Sequence, residues 1–183
     1  MIFVIAFGRI EASGTLGRRR MFKYFPSNYP WNLSIMLSIE MGARMGEIAE
    51  MCAPLIEASK APDAEGAAAF RKTWVDMADR LCALADEDIV RGRGISAGDK
   101  YLRASNYLLT AERLQVIRCA PGRVALYERV LDTFSRGLDL THAAVERVEI
   151  PYGDSFLSAL FVPARGVGGP QPVLVQVNGL DST

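Results

Sequence analysis

The last thirteen residues, Gln171-Pro-Val-Leu-Val-Gln-Val-Asn-Gly-Leu-Asp-Ser-Thr183, decide how the chain is interpreted. Val173 to Val177 is a short, nearly continuous apolar run, which is typical of a strand covered on both faces of a sheet. Asn178-Gly179 ends this run, because glycine permits turns that other residues resist. A buried strand needs a neighbour on each side, and too little sequence follows to supply one of them. We therefore expect the chain to be the front part of a longer protein.

The composition argues against several classes of protein. The 183 residues are 50% hydrophobic and carry 21 basic and 21 acidic side chains, with a pI near 6.6. This balance gives no electrostatic reason to bind nucleic acid or an anionic membrane. One histidine and three widely spaced cysteines do not make a zinc site, and they favour reduced thiols in the cytoplasm. We expect a cytoplasmic protein without a metal ion or a cofactor.

The first twenty residues differ from the rest of the chain. Met1 to Phe7 is apolar, but it is too short to span a membrane and lacks the basic start of a signal peptide. Residues 8–20 are rich in glycine, serine and arginine and show no period. We interpret residues 1–20 as a disordered leader, or as translation begun upstream of a start at Met21.

Residues 21–143 carry helical patterns and are expected to form an all-α domain. The expected helices run from Trp31 to about Arg44, from near Gly46 through Cys52, from an N-cap at Asp63 to residues 91–94, from Ser96 to about Leu114, and from Pro121 to about Leu138. The first helix is apolar almost all round, which predicts burial on every side. Ser96 and Asp99 have the spacing of a capping box. The clearest amphipathic stripe is Phe70, Trp74, Met77, Leu81 and Leu84.

From residue 144 onward the pattern becomes strand-like. Val145 to Pro151 and Phe156 to Val162 are two such runs, and Tyr152-Gly-Asp-Ser155 between them suits a tight hairpin. A Gly/Pro-rich loop then leads to the terminal run. The predicted class is therefore α+β, with an all-α domain over residues 21–143 and the first three strands of an incomplete sheet over residues 144–183.

Four stretches, in their order along the chain, resemble one subgroup of the α/β hydrolases. Pro172 to Thr183 looks like the third strand and following loop of that fold. Phe25-Pro-Ser-Asn-Tyr-Pro-Trp-Asn-Leu-Ser34, Met41 to Ile48 and Ala104 to Tyr107 resemble the helical N-terminal region of a subgroup that includes fungal polyketide-shortening hydrolases, dihydroxypseudooxynicotine hydrolase and FrsA-like esterases. The resemblance covers about residues 22–183. It implies a helical cap followed by an α/β-hydrolase core, and a serine hydrolase that cleaves an ester or a C–C bond next to a ketone.

The loop Asn178-Gly179-Leu180 is the sharpest candidate for chemistry. In acyl transfer a carbonyl oxygen becomes an oxyanion, and preorganised backbone N–H groups stabilise it. The resemblance implies that Gly179 and Leu180 supply this oxyanion hole, with the Leu180 N–H as donor. The alternative is an ordinary strand-to-helix turn, which the spacing alone favours.

The catalytic triad is expected beyond Thr183. His142 is the only histidine, and it lies at the domain junction, whereas hydrolases of this fold place the base near the C-terminus after the nucleophile. Asp181 also lies upstream of the usual position of the acid. We therefore expect no hydrolase activity from this chain alone.

Trp31, Asn106 and Tyr107 are candidate substrate-binding residues, at a pocket between the helical region and the hydrolase core. Aromatic and amide groups suit a planar, oxygenated molecule, and the resemblance implies a small-molecule carbonyl substrate for the full-length protein. The alternative for Trp31 is ordinary core packing. A homodimer is left open.

A rival interpretation comes from outside the enzymes. In it the chain is a non-enzymatic helical interaction module, and the apolar edge at Val173 to Val177 pairs with a strand of a partner.

Overall fold

The structure is a computed structural model, and it describes residues 23–60, 64–114, 121–166, 168–170 and 172–176. These residues fall into two compact units, a helical one within Arg20–Ala143 and a second that includes the residues from Ala144 onward. Residues 1–20 and the expected N-cap Asp63 lie outside the described residues. Within the described ranges, no helix is both long enough and apolar enough to cross a membrane.

Five α-helices make up the helical unit over its described residues. They are α1 (Tyr29–Glu40), α2 (Met45–Cys52), α3 (Ala64–Val90), α4 (Gly94–Arg113) and α5 (Pro121–Leu140). Two short 3-10 turns, Ala53–Leu55 and Ala58–Lys60, follow α2. α4 packs against both α3 and α5, while α1 contacts α4 and α2 contacts α3.

The flanking residues set where α1 begins and ends. Asn28 caps its start, since the Asn28 side-chain oxygen accepts the Trp31 N–H at 3.1 Å. The helix ends at Glu40 rather than at the expected Arg44. The reason is Gly42, whose φ of 97° is the left-handed conformation that commonly ends helices.

The prediction that α1 is buried on every side is wrong. Trp31 and Ile35 are buried, but Tyr29, Leu33 and Leu37 on the other side are 64%, 38% and 46% exposed. An apolar composition all round does not distinguish a central helix from one at the edge of a bundle, because it does not show whether the second face has a partner.

A row of aromatic rings forms the centre of the helical unit. Trp31 of α1 stacks on Phe70 of α3, with ring centroids 4.2 Å apart and 4° between the planes. Phe70 contacts Trp74 edge-on at 5.8 Å, and Trp74 contacts Tyr107 of α4 at 5.6 Å. Both offset-stacked and edge-on contacts are favourable for aromatic quadrupoles. We call these four residues the aromatic row.

Glycines allow α4 and α5 to pack unusually close together. A Cβ added at Gly98 would lie 2.7 Å from the Thr141 Cγ2 and 3.0 Å from the Gly137 carbonyl oxygen. One added at Gly137 would lie 2.7 Å from the Leu102 Cγ. The helix crossing therefore depends on two residues that have no side chain.

The capping box expected at Ser96 and Asp99 is wrong. α4 begins at Gly94, and its N-cap residue, Arg93, makes no side-chain capping hydrogen bond. Ser96 lies inside the first turn, and its Oγ donates to the Asp88 Oδ2 at 2.6 Å. The ionised carboxylate at the end of α3 is the stronger acceptor.

The second unit contains the predicted hairpin. β1 (Glu146–Tyr152) pairs antiparallel with β2 (Ser155–Phe161), in a register that joins Glu146 to Phe161 and Tyr152 to Ser155. Gly153, with φ of 57°, supplies the positive φ that a tight hairpin turn needs. Helices together with an antiparallel sheet confirm the α+β class.

The third strand expected over Val173 to Val177 is not formed within residues 172–176. The side chains of Val173, Leu174 and Val175 are 73%, 81% and 80% exposed. The sheet of the described residues has two strands, in the order β1-β2. A strand is held by hydrogen bonds to a neighbour, which an apolar run does not itself supply. The incomplete α/β-hydrolase sheet therefore stays a prediction.

Candidate functional site

The expected oxyanion loop cannot be placed. Asn178, Gly179 and Leu180 all lie outside the described residues, as does Asp181. The role of Gly179 and Leu180 therefore stays a prediction. The candidates within the helical unit have a defined environment.

Trp31, Asn106 and Tyr107 are all buried in the helical unit. Trp31 is 4% exposed, Asn106 is 6% exposed and Tyr107 is fully buried. Trp31 and Tyr107 are the two ends of the aromatic row, so α1 and α4 are joined through the rings of α3. Asn106 precedes Tyr107 on α4 and contacts α1 directly.

The Asn106 amide uses both of its ends on one residue of α1. Its Nδ2 donates to the Ser38 carbonyl oxygen at 2.9 Å, and its Oδ1 accepts the Ser38 hydroxyl at 3.1 Å. Ser38 is fully buried, so both hydrogen bonds satisfy groups that water does not reach.

The Tyr107 hydroxyl joins α4 to α2. It donates to the Glu47 carboxylate and accepts the Arg44 backbone N–H at 3.2 Å. Burial is the main cause that raises the pKa of Tyr107, and the hydrogen bond to Glu47 is the second. The hydroxyl is therefore neutral and donates a proton into the hydrogen bond at all physiological pH values.

A chain of charges continues outward from this hydroxyl. The Arg103 side chain is 7% exposed and lies 3.3 Å from Glu47. Arg103 also pairs with Asp99, which in turn accepts the Arg44 guanidinium at 2.9 Å. We call Arg44, Glu47, Asp99, Arg103 and Tyr107 the α2–α4 network. Two carboxylates face two guanidinium groups, so the network is neutral overall.

The hydrogen bonds of Asn106 and Tyr107 hold α1 and α2 in place. The hydrogen-bonding atoms of Asn106 and Tyr107 described above are occupied by partners within the helical unit. To contact a substrate they would have to exchange these partners. Their part in substrate recognition stays a prediction, and the observed contacts show that they position the two short helices on α4.

His142 follows the end of α5. It has φ of 51°, and its N–H donates to the Asp139 carbonyl oxygen at 3.3 Å. This backbone conformation is uncommon for a residue with a side chain. It places the only histidine in the turn between α5 and β1, at the junction of the two units.

The expectation that the nucleophile lies beyond Thr183 overlooks one serine. Residues Gly94 to Gly98 read Gly-Ile-Ser-Ala-Gly, which has the spacing Gly-x-Ser-x-Gly. In an α/β hydrolase this spacing forms a sharp turn between a strand and a helix, with the serine exposed at its apex. Here it forms the first turn of α4 and follows the helix α3, so the required strand is absent.

The contacts of Ser96 are those of a helix junction. The Ser96 Oγ is hydrogen-bonded to Asp88 at 2.6 Å and to the Lys100 Nζ at 2.8 Å, and Lys100 is 2.5 Å from Asp88. The hydrogen bonds from Lys100 and then from Ser96 lower the pKa of Asp88. Lys100 is already the ion-pair partner of a carboxylate and is not free to act as a base toward Ser96. This group ties α3 to α4.

The chain is similar in sequence to fungal hydrolases. It is 32% identical over 170 residues to the hydrolase LUC6 of a Fusarium species, 29% identical over 168 residues to the alpha/beta hydrolase gkaG of Penicillium citrinum, and 32% identical over 149 residues to the 20-hydroxy-prefusarin hydrolase FUS2 of Gibberella moniliformis. These matches cover 89%, 86% and 78% of the chain, but only 39%, 38% and 33% of the three relatives. No family model matches. The resemblance to fungal α/β hydrolases is confirmed, and the chain spans between a third and two fifths of the length of these relatives.

Proposed function

We propose that this relative of fungal hydrolases carries the N-terminal part of a serine α/β hydrolase that cleaves an ester or a C–C bond next to a ketone. In this proposal residues 21–143 are a helical cap, and residues 144–183 begin the hydrolase core. The observation that carries it is the similarity to fungal hydrolases, which extends over 89% of the chain.

The Leu180 N–H is proposed to stabilise the oxyanion. A backbone donor fixed after a strand is preorganised, and it becomes effective as negative charge develops on the carbonyl oxygen. Gly179 allows the tight turn that points this donor toward the substrate. The nucleophile, base and acid are proposed to belong to the part of the enzyme that corresponds to the remaining length of the relatives.

A first experiment tests whether these 183 residues hydrolyse esters by themselves. We expect the purified chain to hydrolyse a p-nitrophenyl ester no faster than the ester hydrolyses without enzyme, because Ser96 is held at a helix junction without a free base. A fluorophosphonate probe should likewise leave Ser96 unlabelled. Turnover or labelling that disappears in Ser96→Ala would contradict the proposed absence of a nucleophile.

A second experiment tests the oxyanion donor in a chimaera. Residues 1–183 replace the matching segment of the Fusarium relative, whose ester hydrolysis is measured first. Leu180→Pro removes the N–H and should lower kcat by about 10²–10³. Leu180→Ala keeps the N–H and is the matched control. Equal activity of the two variants would show that this N–H does not stabilise the transition state.

A further inference from the structure

α1 exposes an apolar stripe on the side opposite to the core. Tyr29, Leu33 and Leu37 recur at four-residue spacing and are 64%, 38% and 46% exposed, and Met41 at the end of the helix is 42% exposed. Residues at i and i+4 lie on the same face of a helix. We call these four residues the α1 stripe.

The stripe is rigidly presented. The opposite side of α1 is fixed by Trp31 in the aromatic row and by the two hydrogen bonds between Ser38 and Asn106. Ile35 is also fully buried between these two contacts. A partner that binds the stripe therefore need not order the helix on binding.

The charge beside the stripe is unfavourable for an isolated helix. Glu40 is exposed in the last turn of α1, and that turn has no basic residue. The C-terminal end of a helix carries partial negative charge, so a carboxylate there is repelled. The first turn of α1 has no acidic residue to complement its partial positive charge. Each end of α1 thus lacks the charge that would stabilise it, whereas Glu40 carries the negative charge that is favourable at the N-terminal end of a helix.

We propose that the α1 stripe packs against the α1 stripe of a second copy of this chain. The two helices are antiparallel, about a two-fold axis that passes between Leu33 and Leu37 on the exposed side of α1. In this register Leu33 of one copy meets Leu37 of the other, and Tyr29 meets Met41. Glu40 of each copy then lies beside Pro30 in the first turn of the other α1, where a negative charge is favourable. This pairing does not depend on the proposed hydrolase activity.

The area of the stripe fits a small homodimer interface. At about 200 Å² for a large apolar side chain, the exposed parts of the four residues amount to roughly 400 Å² per copy. A standard interface buries about 800 Å² per partner, and roughly 60% of that is apolar. The stripe therefore supplies most of the apolar part, and the polar residues around it supply the rim.

The test is the molar mass in solution of the full 183-residue chain as its concentration is varied. The wild type should approach twice its 20.0 kDa mass as its concentration rises. Leu37→Glu places two carboxylates near the axis and should raise the dimer dissociation constant at least about thirtyfold. Val90→Glu is the matched control, because Val90 is 87% exposed at the end of α3 and lies off the stripe. Ile150→Glu makes the same change on the hairpin and should also leave the dimer intact.

The register is tested by cross-linking. A mixture of Tyr29→Cys and Met41→Cys chains should form a disulfide-linked dimer faster than either variant alone, because residue 29 of one copy is proposed to meet residue 41 of the other. Circular dichroism of Leu37→Glu is the control for folding, and its spectrum should match that of the wild type because the substituted side chain is exposed. A wild type that stays monomeric at all concentrations overturns the proposal, and so does a dimer that Leu37→Glu leaves unchanged or that Ile150→Glu abolishes.

Discussion

Single polar side chains determine how the short helices are held. Asn106 reaches across to Ser38, and its amide matches both the donor and the acceptor of that residue. Because the contact is buried, its contribution to the free energy of unfolding comes mainly from the cost of leaving the Asn106 amide or the Ser38 hydroxyl without a hydrogen bond. Tyr107 acts in the same way toward Glu47 and Arg44.

Asn106→Leu should lower the free energy of unfolding by about 1–3 kcal/mol, because it removes the acceptor of the buried Ser38 hydroxyl and one of the two donors to the Ser38 carbonyl oxygen, which keeps the Ala43 N–H. Urea denaturation followed by circular dichroism measures the effect. Ser34→Ala is the control, since the Ser34 hydroxyl donates to the Pro30 carbonyl oxygen on an exposed part of α1. A loss no larger than that of Ser34→Ala would mean that the Asn106–Ser38 contact does not hold α1 in place.

Deprotonation of Tyr101 should lower the free energy of unfolding at alkaline pH. Burial is the main cause that raises the pKa of Tyr101 to about 12, and the hydrogen bond to Asp86 is the second. The unfolded value is about 10, so this contribution is fully present below pH ~10 and is lost as the pH rises toward about 12. Tyr101→Phe should make the urea midpoint fall less steeply over that range. Burial also raises the pKa of Cys52 to about 12, so part of the alkaline loss should remain. An unchanged slope in Tyr101→Phe would contradict the assignment.

At the scale of elements, the sequence predicts those helices and strands whose pattern repeats within a short window. Four of the five residues of the α3 stripe are buried as expected, although Leu84 is 38% exposed. The hairpin is present as predicted, because the apolar runs and the Gly153 turn that specify it are all local in the sequence. The burial of α1 and the strand expected at residues 173–177 depend on which other surface covers them, and a local pattern does not contain that information.

Gly98→Ala should destabilise the protein even though alanine favours a helix. The gain in helix propensity is about 1 kcal/mol, but the new Cβ would lie 3.0 Å from both the Gly137 carbonyl oxygen and the Thr141 nitrogen. These are backbone atoms, so the two helices would have to move apart. We expect a net loss of about 1–3 kcal/mol in urea denaturation.

Gly122→Ala is the matched control for this crossing. Gly122 lies in α5, and a Cβ there meets no heavy atom within 4 Å. It should stabilise the protein by up to about 1 kcal/mol. A gain in Gly98→Ala as large as that in Gly122→Ala would show that α4 and α5 separate without cost.

At the scale of the whole molecule, the buried apolar clusters lie within the helical unit. Together with the partly buried residues packed on them, their members run from Tyr24 to Leu140, and the ion pairs between α2, α3, α4 and α5 lie in the same span. We expect residues 21–143 expressed alone to unfold cooperatively in urea, with a midpoint close to that of the full chain. A broad, non-cooperative loss of helical signal would instead show that residues 144–183 are needed for its stability.

The candidate site was only partly predictable for the same reason. The sequence pattern of α4 predicts an apolar stripe of Tyr101, Ala104, Leu108 and Ala111, and Asn106 and Tyr107 stand out because they lie off it. Their partners Ser38 and Glu47 lie 68 and 60 residues away in the chain, and no local pattern links them. The resemblance to fungal hydrolases could be found from the sequence, whereas the contacts within the helical unit required the structure.

The aromatic row has a consequence for spectroscopy. The chain has two tryptophans, and both belong to this row, Trp31 on α1 and Trp74 on α3. The emission of an indole moves to longer wavelength when water reaches the ring, so a red shift would signal that α1 had separated from α3. With Trp74→Phe the remaining fluorescence would report on the docking of that one helix, without any attached dye.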